Sequence, residues 1–344
     1  MLNKKELSEI RDFLESSQNP LFLFDNDADG LCSFLILQRS IGRGYGVPIK
    51  SYPELSLQYV RRINEFNPDA VFILDKAEVA TDFINEVTNR NIPIIWIDHH
   101  PTHTPEQILR KTNYYNVGEK CEPVTYVSQK IFNRQEDLFL AVLGCISDVY
   151  MPDFASKISE QFPELFNSEL TAFDALHQTE FGKIIRMLNF GLMNTTTNVV
   201  KLMRFLQTAS SPYDLLEENN QTKEFHKRYQ ELNQELTKLI KKADRLNKKS
   251  QILFFSYEGR TSMSAILANQ LYFENKNKII IVAYKKPDKI NLSIRGKGAL
   301  KITQFIVDRI EGATGGGHEE ATGAMIPLTQ LDNLNKIINE LSKD

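Results

Sequence analysis

Three short apolar runs, at residues 21–24, 71–74 and 92–97, each followed at once by an acid, most constrain what this chain can fold into. Between them lie segments with helical spacing, such as 31–40 and 79–89. Strands alternating with helices predict a parallel α/β sheet, because a parallel connection needs a crossover long enough to hold a helix. In such sheets ligands gather beyond the carboxyl ends of the strands. Asp25 follows the first run, Asp75 the second and Asp98-His99-His100 the third, so the acids stand where that rule puts a site.

The stretch Asp25-Asn26-Asp27-Ala28-Asp29-Gly30 sets three carboxylates at spacing two. In an extended strand end they would crowd on one face and need a counter-charge. A bound divalent metal supplies one, and an oxygen-rich site suits Mg or Mn. An EF-hand is not supported, since no bidentate Glu follows at the twelfth loop position and residues 31–37 are apolar. The plainer alternative is a solvated acidic turn. Two adjacent histidines cannot both face one way in an extended chain, so one imidazole of His99-His100 can bind metal while the other serves another role. Asp148 ends the segment 138–147, which is apolar nearly all round and predicts a buried helix. An acid at such an end is seldom unpaired, although Pro152 soon follows and a solvent-facing helix end is the alternative.

A chain of 344 residues suggests about two domains. With 42% hydrophobic and 25% charged residues it is not a disordered protein. Its net charge of -3 excludes a globally basic nucleic-acid binder, so affinity for a polyanion must come from local patches or bound metal. Cys32, Cys121 and Cys145 are odd in number, widely spaced and set among apolar neighbours, the pattern of reduced thiols in an intracellular protein. No apolar run approaches the roughly 18 to 20 residues of a membrane span. A cytoplasmic protein with no membrane partner is expected.

From about residue 123 to 207 the pattern is mainly helical, and Ser211-Pro212-Tyr213-Asp214 carries the cap, proline and acid of a helix start. Phe225, Tyr229, Leu232, Leu236, Leu239, Ala243 and Leu246 then follow at alternating spacings of four and three, a heptad seam. One long connector helix lying on its own protein is expected, with a dimeric coiled coil as the alternative. Strands return at 252–256, 279–283 and 290–294, with helices near 263–272 and 300–310. The expected domains are 1–210, a connector at 211–250, and a smaller α/β domain at 251–344.

In that second domain the run Gly312 to Gly317 reads as a loop free to adopt positive φ and to aim several N–H groups at an anion, with His318 directly after it. Ser293 and Arg295 share a strand face by period two, and Arg is the better bidentate phosphate ligand. The neighbouring lysines read as a solvated rim.

In this order, Asp25-x-Asp27-x-Asp29-Gly30, Asp75, Asp98-His99-His100 and Gly144-x-x-x-Asp148 resemble the four motifs of the DHH phosphoesterase superfamily, which includes the RecJ-like nucleases. Gly315-Gly316-Gly317-His318 resembles the GGGH motif of the DHH-associated substrate-binding domain. The resemblance implies an α/β parallel-sheet catalytic domain joined by a long helix to a smaller substrate-binding domain. It implies two Mn ions, or Mg in their place, with Asp25, Asp27, Asp29, Asp75, His99 and Asp148 as ligands and Asp75 as their bridge. His100 would face the scissile phosphate, and Asp98 would orient a ligand imidazole, which makes Asp75, Asp98, His99 and His100 the catalytic set. Arg295, Gly315, Gly316, Gly317 and His318 would hold a substrate phosphate or terminal nucleotide. Many relatives carry His where Asp25 stands, whereas RecJ-type sequences carry Asp. Lys76 departs from the small or apolar residue usual after the bridging aspartate, and is expected to point into solvent.

The activity so implied is hydrolysis of single-stranded DNA or RNA, or of short oligonucleotides, to nucleoside monophosphates, from the 5′ end if the RecJ polarity holds. The chain ends soon after the last motif, leaving no room for the OB-like domain of larger bacterial nucleases and favouring short substrates. The alternatives are a nanoRNase or phosphatase acting on dinucleotides, cyclic dinucleotides or 3′-phosphoadenosine phosphate, and a replisome-associated scaffold. A homodimer and a replication-protein partner are compatible with either.

Overall fold

A computed structural model describes residues 2–51, 54–118, 122–246 and 250–341. Cys121 lies outside them, while Cys32 and Cys145 are buried free thiols. The chain divides within the long helix Lys223–Ala243 into two compact units, Met1–Tyr229 and Gln230–Asp344.

The first unit is built on five parallel strands, β1 (Pro20–Asp25), β2 (Tyr45–Ile49), β3 (Ala70–Leu74), β4 (Ile94–Asp98) and β5 (Asn113–Asn116), in the order β2-β1-β3-β4-β5. The three apolar runs become β1, β3 and β4. Phe22, Phe24, Phe72, Leu74, Ile95 and Ile97 enter one core, while Leu21, Leu23, Val71, Ile73, Ile94 and Trp96 enter another. Both faces are covered, which is why these strands read as continuous apolar runs and do not alternate. The sequence reading did not find β2 and β5. Both are edge strands, where fewer apolar residues are needed: β2 holds Gly46 and Pro48, and β5 reads Asn-Tyr-Tyr-Asn.

The chain leaves β1 for β2 on one side of the sheet and returns as β3 on the other. This reversal opens a crevice beyond the carboxyl ends of β1 and β3, where ligands bind in open α/β sheets. Asp25 ends β1, and Asp27 caps the helix Ala28–Ile41 by accepting Gly30 N–H at 3.0 Å. A Cβ at residue 30 would overlap the Asp25 carbonyl, so only glycine lets strand and helix turn this tightly. The apolar helix Leu138–Ser147 is buried through Ile146 and places Asp148 at its end. A side chain at Gly144 would collide with Thr125 of the neighbouring helix Val124–Phe132.

In Lys223–Ala243, the seam residues Phe225, Leu232, Leu236, Leu239 and Ala243 are all buried, so one chain already covers them. Leu246 falls beyond the helix end and is 41% exposed.

The second unit holds a smaller mixed sheet of β6 (Ile252–Tyr257), β7 (Ile279–Lys285), β8 (Lys289–Arg295), β9 (Thr314–His318) and β10 (Ala321–Pro327), in the order β6-β7-β8-β10-β9. Ile281, Leu292, Ile294, Ala324 and Ile326 pack with the helices Ala299–Arg309 and Leu331–Leu341. The glycine run corrects one expectation, since Thr314–His318 is an edge strand and not a loop. Pairing with β10 straightens a segment whose composition by itself signals flexibility.

Candidate active site

The acidic triplet reaches its site by a different route from a shared strand face. The strand stops at Asp25 and the helix begins at Ala28, so Asp29 sits in the first helical turn, fully buried. Both of its carboxylate oxygens accept backbone N–H groups of the helix Val124–Phe132, from Val124 and Thr125 at 2.9 Å each. The Thr125 hydroxyl donates in turn to the Asp29 carbonyl at 2.9 Å. A carboxylate at a helix N-terminus satisfies orphan donors there, which fixes Asp29 firmly.

Asp75 stands directly after β3, 2% exposed, with φ at 58°. A left-handed backbone is unusual for a non-glycine residue and occurs where the surroundings over-determine the geometry, often at functional sites. The Asp75 N–H donates to Ile97 O at 3.0 Å, tying the bend to β4. Asp75 Oδ1 lies 3.3 Å from His99 Nε2, and that same nitrogen lies 3.3 Å from Asp148 Oδ2. His100 packs edge-on to His99 with ring centroids 4.1 Å apart, and its Nδ1 meets Asp98 Oδ1 at 3.0 Å. The imidazole that Asp98 is seen to hold is therefore that of His100. The expectation that the two adjacent histidines face different ways is not met, since His100 Nδ1 also comes within 3.7 Å of Asp75 Oδ1.

Lys76 corrects the expectation of a solvent-facing side chain. Only 6% of its side chain is exposed, and Nζ lies 3.1 Å from Asp25 Oδ1 and 3.4 Å from Ser51 O. The Trp96 indole N–H pins the Lys76 carbonyl at 2.8 Å, so the turn after β3 is held from β4. Replacing Lys76 by Met removes the cation from a carboxylate that is 34% exposed. The expected cost without metal is about 1–2 kcal/mol, below that of a fully buried pair. Manganese affinity is expected to rise, because one positive charge leaves the site. Thermal unfolding with and without Mn and calorimetric Mn titration check both effects; weaker Mn binding would refute the charge argument.

Electrostatics mark these groups as a set. Burial first, then Asp75, Asp25 and Asp29, push Asp27 well above the usual carboxylate range. Asp148 is pushed up in the same way, by burial and then by Asp29 and Asp75. Asp29 rises to about 7, mainly through burial and Asp75. Asp75 itself is lowered, because contact with His99 and the charges of His99, His100 and Lys76 outweigh its burial. Burial opposes charge on His100, yet Asp98 and Asp75 raise it to about 9.

These residues fit a divalent metal centre. Asp75, His99 and His100 offer ligand atoms within 4.8 Å of one another, and so do Asp29, His99 and Asp148. Asp75 Oδ1 is buried without a hydrogen-bond partner of good geometry among the described residues. Oxygen donors with one or two imidazoles suit Mn or Mg, and mutually repelling carboxylates gain most from a cation. Asp25 and Asp27 fall outside both groups, their Oδ1 atoms being engaged by Lys76 and by Gly30 N–H.

In the second unit, register places Arg295 of β8, Ala321 of β10 and His318 of β9 on one rung. Arg295 is clamped by Asn269 Oδ1 at 2.5 Å and by the carbonyls of Ile294 and Thr322 at 2.8 and 3.1 Å. Burial lowers its pKa to about 10. Ser293, on the same face, donates to Ser264 Oγ at 3.0 Å. Gly315, Gly316, Gly317 and His318 are exposed along the edge strand. Asn269 escaped the sequence reading, because nothing local links it to a residue 26 positions away.

The family model described as "DHH family, N-terminal domain" matches residues 21–145, and that described as "DHHA1 domain" matches 247–344. No curated protein matches the chain in sequence at a significant level. Among solved structures, RecJ from Thermus thermophilus in complex with Mn2+ aligns at TM-score 0.68 and 15% identity, over 99% of this chain and 55% of that one. This chain thus spans about half the length of that protein. A manganese-bound exonuclease RecJ aligns at TM-score 0.66 and 17% identity, over 99% of this chain and 95% of the other. The pGpG-specific phosphodiesterase PggH from Vibrio aligns at TM-score 0.52 and 13% identity, over 95% of this chain and all of the other. At these identities the likeness is one of fold. The two domain matches follow the order in which the motifs stand, and the fold built from them carries acids and histidines at the sheet's carboxyl end. The chain belongs to the DHH family, with the RecJ-like two-domain fold.

Proposed function

We propose that this chain is a metal-dependent phosphodiesterase that hydrolyses single-stranded nucleic acid or short oligonucleotides to nucleoside monophosphates from the 5′ end, with Mn as the preferred ion. The observation that carries the reading is the meeting of Asp75, His99 and Asp148, from β3, β4 and a buried helix end, at 3.3 Å contacts beyond the sheet. Asp27, Asp29, Asp75, His99 and Asp148 would hold the ions, with Asp25 shared between them and Lys76. Ions held there would neutralise the phosphodiester and lower the pKa of the attacking water. Water adds to phosphorus, the P–O3′ bond breaks, and the departing 3′ oxygen takes up a proton. His100, whose Nδ1 meets Asp98 Oδ1 at 3.0 Å, is the imidazole the proposal turns to the scissile phosphate. The clamped Arg295, with His318 and the glycine strand, would receive a substrate phosphate or terminal nucleotide.

A Mn assay of end-labelled single-stranded DNA, RNA and oligomers of graded length tests this reading. Mononucleotides released from the 5′ end are the expected products. A strong preference for dinucleotides over long strands would favour the second reading, a nanoRNase-like enzyme, which the fold shared with a pGpG-specific phosphodiesterase supports. No hydrolysis of any substrate by the folded, Mn-loaded chain would overturn both.

A further inference from the structure

Beside the candidate site, the first unit holds a cavity of about 360 Å³ among β2, residues 57–66 and the helix Thr196–Leu206. Its floor is apolar, with Val47, Val199 and Met203 buried there. Its rim is cationic. Arg62 and Glu65 cancel in an ion pair at 2.5 Å, which leaves Lys50 and Arg61 as net charge. Lys50 Nζ donates to Asn194 O at 3.2 Å, a contact that orients the ammonium without neutralising it. The Lys50 N–H donates to the Tyr59 hydroxyl at 2.6 Å, which fixes the backbone at the rim. Arg61 is exposed and has no ion-pair partner among the described residues.

The pocket adjoins the acidic site through the chain itself. Ile49 pairs with Asp25 in register, and Lys50 is the next residue. Ser51 O then accepts from Lys76 Nζ, whose other partner is Asp25. The volume lies in the range of small-molecule sites, roughly 300–1,000 Å³. An apolar floor under two cations matches a planar base carrying a phosphate; inorganic phosphate would leave the floor unfilled, and an uncharged ligand would leave the cations unused.

We propose that this pocket binds one nucleotide unit, with the base on Val47, Val199 and Met203 and a phosphate on Lys50 and Arg61. The inference rests on the reading of nucleic acid as substrate, and it adds a subsite that positions a nucleotide neighbouring the scissile bond. Anisotropy of a labelled single-stranded pentanucleotide, bound to the full chain in EDTA to prevent turnover, tests it. Arg61→Glu is expected to weaken binding at least about ten-fold and to flatten its salt dependence. Arg110→Glu makes the same charge change where the guanidinium is 75% exposed beside Glu106, and is expected to alter binding by less than about two-fold. Unlabelled 5′-AMP and inorganic phosphate serve as competitors. Equal losses of AMP and pentanucleotide affinity in Arg61→Glu support the pocket with a free mononucleotide as ligand, and a larger loss for the pentanucleotide supports a strand subsite. Equal effects of Arg61→Glu and Arg110→Glu, or phosphate competing as well as AMP, would overturn the proposal. Because the readout is binding, its failure is distinct from an absence of hydrolysis in the Mn assay.

Discussion

Asp75→Asn is expected to lower hydrolysis by about 10²–10³-fold or more and to weaken Mn binding in parallel, with the fold intact. The substitution isolates charge from shape. Asn is among the few residues that tolerate the left-handed backbone found at position 75, so the bend tied to Ile97 survives. What disappears is the carboxylate facing His99 at 3.3 Å and His100 at 3.7 Å. Both imidazoles then lose the negative charge that raises their pKa without metal. Oligonucleotide hydrolysis, Mn calorimetry and circular dichroism on the same preparation check the three parts. Activity within ten-fold of the parent would remove Asp75 from the centre of the mechanism.

Stripped of divalent ions, the protein is expected to lose stability as pH rises from about 5 to about 8, and Mn is expected to abolish that slope. Asp29 titrates at about 7 in the folded chain against 3.8 ordinarily, chiefly because it is buried and faces Asp75. Asp27 and Asp148 are raised as well, and His100 reaches about 9 against 6.5. Each of these groups binds its proton more tightly folded than unfolded. Such a group contributes stability that is complete below its unfolded pKa and is lost as pH climbs through its folded pKa. The carboxylates and His100 therefore act with the same sign across this window. Asp75, lowered, acts in the opposite sense only below its ordinary value of 3.8. Asp29, fully buried and raised to about 7, contributes the part of the slope that falls below neutral pH. Metal takes the place of the protons, so the loaded protein keeps a flat profile. Thermal unfolding at several pH values in EDTA and in Mn measures both curves; a flat curve in EDTA would show that the carboxylates do not repel one another as described.

The strand ends were legible because they are local. An apolar run that stops at an acid shows where a buried strand meets the surface, and β1, β3 and β4 fall where residues 21–24, 71–74 and 92–97 place them. The edge strands were not, since β2 and β5 carry too little apolar sequence and β9 is mostly glycine. The conformation of the triplet was misread for a related reason. Alternation holds only while the chain stays extended, and Asp27 ends that by capping a helix.

Sequence by itself determined which chemical groups would gather in this protein. Parallel strands lie side by side about 4.8 Å apart, so acids at the same end of neighbouring strands become neighbours whatever else the chain does. Only the tertiary structure decided how those groups divide their partners. Lys76 meets Asp25 across 51 positions, Asp29 meets Thr125 across 96, and Asn269 aims Arg295 across 26. Such pairings depend on side-chain direction and on packing between elements. Neither leaves a period in the sequence, so the same residues that mark the site remain silent about which of them are engaged within it.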